Sequence, residues 1–547
     1  MASSTVTTHL RRGNDHLPFD ILHRVFEEVA QFNQLFCNAM PEVSIPMDTA
    51  FEILEDSYEL ASELGHVCTS WRTAVLATPR LWGLIMIGPE FLWNFASTEP
   101  GRPQETMRRL KRWVERGQET PRTLLVDLRF GMVPGGPFNL HVAIPRMFKV
   151  IQMMFKEVIS VLKYWKSIHL EADNEPFAQA VLGELRIAAG APNLESLTVS
   201  FPFGMPDSDT KHGWRPFQGD VPKLGFLSVR NVCLDWRHTA MFRNLLGLSL
   251  AYTGDMEDSS VFMRMPKYQQ VFKALCSADK LCSLYLSGFV PQMFTAPEPS
   301  AKTILRLPAL NALDLELISP DDIALFGHYL PFSTLSRLDL KICIPPAHRG
   351  AQAGPEANNC TEFMQMLLPY PEDNIKPKPW HDLSQLRHLN LRYLMCEEDD
   401  LILLFDAVTR LTHLEITVTK ALRTLFLPVR PHTEEDNAVM RGQPKPQGYV
   451  SPLPVPKLRY LRAFGGASLQ GSEKQFHLAL AEGFAFRVNM GCRILRQLIV
   501  AEWLVEELRA NEEFAIETFT EGLCGNESTA RFMDEYEPGP VDRDELE

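Results

Sequence analysis

The ten cysteines never come close enough to form a C-x-x-C pair. Cys37, Cys68, Cys233, Cys276, Cys282, Cys343, Cys360, Cys396, Cys492 and Cys524 are scattered over 547 residues. A structural zinc site sets its ligands two to four residues apart on a turn, so this spacing argues against one. The thiols read instead as small hydrophobes in a reducing compartment. No uninterrupted apolar run approaches the roughly 18 residues that a membrane-spanning helix needs. No long basic run is present, and the formal net charge of −14 disfavours nucleic acid and anionic membrane surfaces as partners. The phosphate-binding, nucleophile-elbow, zinc-protease and dinucleotide fingerprints are all missing. Histidines such as His66, His169, His388 and His413 stand alone in sequence, without the partnered constellation that catalysis requires. The expectation is therefore a non-catalytic protein without metal or cofactor. The stretch from Met1 to Thr8 is polar and does not resemble a signal peptide, so Asn359-Cys360-Thr361 and Asn526-Glu527-Ser528 read as chance glycosylation sequons. The expected location is intracellular, in cytoplasm or nucleus.

What the chain does hold begins near its start. Pro18 suits a first helical turn, where its missing N–H leaves nothing unpaired. Ile21, Leu22, Val25, Phe26 and Val29 then share one stripe at helical spacing. A second stripe runs through Leu60, Leu64, Val67, Cys68, Trp71, Val75 and Leu76, and Pro79 ends it. Leu81 and Trp82 follow in a short connector. On periodicity alone this is a helical pair, and a pair that simply packs on the next domain is one reading of it.

The ordered set Leu17-Pro18, Ile21-Leu22, Val25-Phe26, Val67-Cys68, Trp71-Arg72, Leu76 and Pro79-Arg80-Leu81-Trp82 resembles the F-box-like segment of the large fungal F-box families. The resemblance covers residues 17–87. It departs from a compact F-box in the stretch from Gln31 to Glu59, which carries Pro41, Pro46 and an acidic patch. By resemblance, Leu17, Pro18, Ile21, Leu22, Val25, Phe26, Val67, Cys68, Trp71 and Leu76 form the surface bound by a Skp-family adaptor, which is carried in turn by a cullin–RING scaffold. Some of these residues must also hold the two helices together, and the sequence does not divide the roles.

From about residue 160 a second pattern takes over, L-x-x-L-x-L. It runs through Trp165/Ile168/Leu170, Leu194/Leu197/Val199, Leu224/Leu227/Val229, Leu245/Leu248/Leu250, Leu281/Leu284/Leu286 and Leu310/Leu313/Leu315. Leu335/Leu338/Leu340, Leu386/Leu389/Leu391, Leu411/Leu414/Ile416, Leu458/Leu461 with Ala463, and Leu495/Leu498/Val500 complete it. Matches about 21 to 51 residues apart look like irregular leucine-rich repeats, each a strand, a turn and a returning helix that cannot bury its leucines alone. Returning helices are expected over 181–189, 271–278 and 400–409. A doubly wound α/β sheet is the competing architecture, since it also alternates strands and helices.

Between the modules, 105–117 reads as an amphipathic helix and 121–128 as a strand. The expected organisation is a disordered 1–16, the F-box-like helical domain 17–87 with insert 31–59, a connecting segment 88–119, and a repeat domain 120–524. Proline-rich loops at 345–382 and 428–456 leave the array, and 525–547 is an acidic disordered tail. The fold class is α+β followed by an α/β repeat solenoid.

Residues between the ladder leucines point to the opposite face of the sheet. Later strands place Arg337, Asp339, Lys341, His388, Asn390, Arg392, His413, Tyr460 and Arg462 there, a locally basic half on an acidic protein, of which Arg337, Lys341, His388, Arg392, His413, Tyr460 and Arg462 bear on binding. These are the candidate substrate-binding residues, suited to an acidic or phosphorylated segment. The function implied is the substrate receptor of a Skp–cullin–F-box-type ubiquitin ligase. The alternatives are a repeat scaffold working without a ligase and an enzyme with an unfamiliar pocket.

Overall fold

The structure, a computed structural model, describes residues 18–43, 49, 53–54, 61–89, 91, 101–129, 140–201, 213–252, 266–288, 302, 304–317, 320–342, 361–368, 382–391, 398–417, 425, 433–440, 453, 455–464, 483–484, 486–490, 492, 495–500 and 523–525. The chain divides into two units, Met1–Leu281 and Cys282–Glu547.

The first unit opens with helix α1 (Phe19–Val43), a helical stretch over 61–67, helix α2 (Thr69–Leu76) and a single 3-10 turn (Pro79–Trp82). Six parallel strands follow in sequence order: β1 (Leu84–Ile87), β2 (Arg122–Leu128), β3 (Trp165–Ala172), β4 (Ser196–Ser200), β5 (Phe226–Arg230) and β6 (Gly247–Ala251). Helices α3 (Arg102–Arg116), α4 (Leu140–Ile159), α5 (Glu175–Ile187) and α6 (Tyr268–Leu275) lie in the connections. The second unit carries β7 (Ser283–Ser287), β8 (Ala312–Leu317), β9 (Arg337–Ile342), β10 (His388–Leu391), β11 (His413–Thr417), β12 (Tyr460–Phe464), β13 (Gln497–Val500) and β14 (Leu523–Gly525), again parallel and in order. Its helices are α7 (Pro320–Gly327), α8 (Thr361–Leu367), α9 (Glu398–Ala407) and α10 (Glu434–Met440).

All eleven ladder motifs fall on strands. Register aligns Leu124, Ile168, Leu197, Leu227 and Leu248 in one row of the first unit. It aligns Leu284, Leu313, Leu338, Leu389, Leu414, Leu461 and Leu498 in the second. Every residue of both rows is at most 2% exposed, so in each unit the leucines form a spine buried against the connecting segments. The first leucine of many motifs closes a turn: Leu224 N–H donates to Val221 C=O, Leu386 to Leu383, Leu411 to Val408 and Leu458 to Val455, at 3.0–3.1 Å. This recurring turn sets each chain segment onto the same register. The architecture is an α/β repeat of solenoid type.

Three expectations shift. The sheet starts at β1 (Leu84–Ile87), inside the segment 17–87, ahead of the expected start near residue 120. The run Leu84-Ile-Met-Ile lacks the leucine spacing but pairs in register with Thr123–Val126. The insert 31–59 begins as helix, because Gln31 to Met40 holds no glycine or proline to end α1. The loops at 345–382 and 428–456 contain α8 and α10. The N-terminal 1–16 and the tail beyond 525 lie outside the described residues. None of the described cysteines Cys68, Cys233, Cys276, Cys282 and Cys492 is in a disulfide; only Cys492 is buried and the other four are half-buried, so the reading as small buried hydrophobes fits one of the five.

Candidate functional site

Helix α1 separates the expected adaptor stripe into two faces. Leu22, Phe26 and Ala30 are buried, facing a core that includes Ala61, Ala74, Val75 and Trp82. Phe26 meets Trp71 edge-on at 5.7 Å between centroids. Ile21, Val25 and Phe32 fall on another stripe of the same helix, as 100° per residue requires, and remain 46–57% exposed. Val67 and Leu76 on the second helical segment are also exposed, as is Pro18. Cys68 is half-buried and extended (φ −161°), and it breaks the helical path before α2. Arg72 Nε donates to the carbonyl of Gly65 at 2.8 Å, capping the end that this break leaves open. Leu17 lies outside the described residues.

The Thr-Pro-Arg-Leu-Trp segment is a clamp between the helices and the array. Thr78 gives its hydroxyl proton to Ala74 C=O (2.9 Å), so its oxygen accepts from His23 Nδ1 on α1 (2.8 Å). Arg80 pairs with Glu27 of α1 at 3.1 Å. Trp82 donates to Val75 C=O, packs edge-on against Trp113 of α3 at 4.8 Å, and has the Arg116 guanidinium 4.5 Å from its ring centre. Trp113 closes the chain of contacts by donating to Leu84 C=O of β1 at 2.9 Å.

In the second unit, the face opposite the leucine row carries the other candidates. Register places Arg337, His388, His413, Tyr460 and Gln497 side by side, with Asp339, Asn390, Glu415, Arg462 and Ile499 in the next row. His388 and His413 stack at 3.9 Å and 11°, and His413 and Tyr460 at 4.2 Å and 6°. The two histidines, alone in sequence, are therefore partners in space. Rings stacked from strand to strand turn their faces toward one another and their edges away from the sheet. Thr412 gives its hydroxyl proton to Arg387 C=O, so His413 Nδ1 is the donor in its 2.8 Å bond to that hydroxyl. Burial, then the Arg337 charge, pushes the His388 pKa down to about 4. Burial, then His388, pushes His413 down to about 3.

The expected basic half is not what the rows form. Both imidazoles are neutral at pH 7. Arg337 is tied to Asp339 at 2.6 Å, and Arg462 approaches Glu415 at 4.0 Å. The leucine-to-leucine count brings carboxylates to the same face as the arginines, and each neutralises a neighbour. Glu415, between Leu414 and Ile416, was legible by the same alternation. Lys341 lies on β9 opposite Glu316 in register, and Arg392 lies outside the described residues. The surface is a neutral aromatic ridge bordered by ion pairs.

Among the described residues no cluster of three or more His, Cys, Asp or Glu side chains is placed to hold a metal ion. No described helix is long and apolar enough to cross a membrane. No protein-family model matches the chain, and no curated protein matches it. Among solved structures, it is similar to a chain in the crystal structure of the Rad7 and Elc1 complex in yeast. Identity is 13%, coverage is 86% of this chain and 96% of that one, and the TM-score is 0.30. So low a TM-score carries nothing from that protein to this one.

Proposed function

We propose that the chain is the substrate-receptor subunit of a Skp–cullin–F-box-type ubiquitin ligase. Residues 17–87 bind the Skp-family adaptor and the repeat array binds a protein substrate. The reading rests on the resemblance of the N-terminal segment to F-box-like sequences. The observation that carries it is where the large exposed apolar side chains lie. Seven of the ten such residues in the described structure, Phe19, Ile21, Val25, Phe32, Ile53, Val67 and Leu76, precede residue 77. Four of them, Ile21, Val25, Val67 and Leu76, are positions the resemblance assigns to adaptor contact. Apolar groups concentrated on one small module mark an interaction surface, whereas single ones scattered over a protein do not.

The mechanism is proximity. The chain makes no bond itself; it holds a substrate so that its lysines meet the charged conjugating enzyme at high effective concentration. The neutral ridge His388–His413–Tyr460 supplies hydrogen-bonding edges and apolar ring surface. This favours a polar or aromatic segment over the acidic or phosphorylated one expected from residue types alone.

Co-purification of the full chain with a Skp-family adaptor tests the reading. Capture by the wild type and loss in Ile21→Glu/Val25→Glu support it. If no adaptor is captured even after deletion of residues within 44–59, the repeat-scaffold reading replaces it.

A further inference from the structure

Thr-Pro-Arg occurs twice in the chain, at residues 78–80 and 120–122, in opposite surroundings. Thr78 is 0% exposed, and its hydroxyl is committed to Ala74 C=O and His23. Thr120 lies in the short turn between α3 and β2, half-buried, with exposed Glu119 and Pro121 on either side. Its hydroxyl donates to Gly117 C=O at 2.5 Å and stands 3.5 Å from Pro79 C=O of the clamp. Thr120 is therefore at the joint between the helices and the array.

Beneath the same turn lies a cation without a counter-charge. Arg122 is 2% exposed and forms no ion pair among the described residues. Its Nη2 donates to Gln118 C=O, while Nε and Nη1 are buried with no hydrogen-bond partner. Its guanidinium carbon is 5.5 Å from the Tyr164 ring centre, and a side chain at Gly117 would begin 3.2 Å from that carbon. Gly117 thus touches both groups: its carbonyl takes the Thr120 hydroxyl, and its α-carbon faces the guanidinium. Burial lowers the Arg122 pKa to about 10, which leaves it charged at pH 7. The neighbouring carboxylate of Glu119 is turned to the Tyr164 hydroxyl instead, at 2.9 Å.

Buried N–H groups left without an acceptor are costly, and two of them on one guanidinium call for an anion. A phosphate placed opposite an arginine forms one to three charge-assisted hydrogen bonds. We propose that Thr120 is a phosphorylation site and that Arg122 receives the phosphate. A kinase of the proline-directed class supplies the reaction with ATP. The Thr120 oxygen attacks the γ-phosphorus, the bond to ADP breaks, and the hydroxyl proton passes to the kinase's catalytic base. The phosphate ends the hydroxyl's donation to Gly117 and takes hydrogen bonds from Nε and Nη1 of Arg122. The site goes beyond the adaptor reading and does not depend on it.

Treatment of the full chain with ATP and a purified proline-directed kinase tests it, with phosphate located by mass spectrometry and Thr120→Ala as control. Phosphate on Thr120 is expected; none there overturns the proposal. The receiver is read by phosphorus-31 NMR titration of the phosphorylated chain. A phosphate held by Arg122 has its second pKa lowered from the ordinary value of about 6 to about 5, an about tenfold weaker proton affinity. Arg122→Gln returns it to the ordinary value. A wild-type value that is not lowered overturns the role of Arg122 whether or not the variant folds. A lowered value that persists in folded Arg122→Gln overturns it as well.

Discussion

Phe26 and His413 show how a single side chain acts in this protein. Phe26 is 1% exposed and fills the space between α1 and Trp71. Phe26→Ala is expected to cost about 3–5 kcal/mol through lost burial and a residual cavity, read as a lower thermal midpoint. A loss below about 1 kcal/mol would mean that the helices hold together without this contact. For His413 the expected effect lies in the pH dependence. His388 and His413 have folded pKa values of about 4 and about 3 against an ordinary 6.5. Below 6.5 the unfolded chain binds protons that the folded chain refuses, so stability falls as pH drops through that window and is fully present above it. His413→Phe keeps a stackable ring and removes one titrating group. The loss of midpoint between about pH 7 and pH 5 should shrink in that variant relative to wild type. An unchanged slope would show that this imidazole does not feel the burial assigned to it.

At the scale of elements, α1 joins two tasks that sequence periodicity had merged. Both sets of residues, Leu22 with Phe26 and Ile21 with Val25, follow apolar spacing, so the sequence marked the helix but not its division into inward and outward stripes. Which stripe is buried depends on where α2 and Trp82 come to lie, and that is a tertiary fact. Ile21→Glu/Val25→Glu should leave the thermal midpoint within the shift expected of surface changes, about 0.5 kcal/mol, while reducing adaptor capture at least about tenfold. A large loss of stability would move these residues from the docking face to the core. The strands were legible for a firmer reason. Each L-x-x-L-x-L puts two side chains on one face of an extended chain, and all eleven motifs became strands in one register per unit. β1 escaped because Leu84-Ile-Met-Ile buries both faces and shows no alternation.

At the scale of the whole molecule, the two units share one construction, and a defect in a spine should stay with the strands that flank it. Leu338→Ala, at a residue 1% exposed, is expected to cost about 2–5 kcal/mol in denaturant melts. Amide exchange should quicken on β8, β9 and β10 first. Uniform acceleration throughout the second unit would argue for all-or-none unfolding of that unit. The face opposite the spine was less legible than the spine. Arg337 and Arg462 were visible as cations, and Asp339 two residues along the same strand was visible with them, but Glu415 becomes the neighbour of Arg462 only through register.

That register has a further consequence. Because Arg337, His388, His413, Tyr460 and Gln497 each stand one place before a spine leucine, the row works like a line of type set one letter per strand. Changing one letter rewrites the text a partner reads at that point and leaves the spine that binds the page untouched.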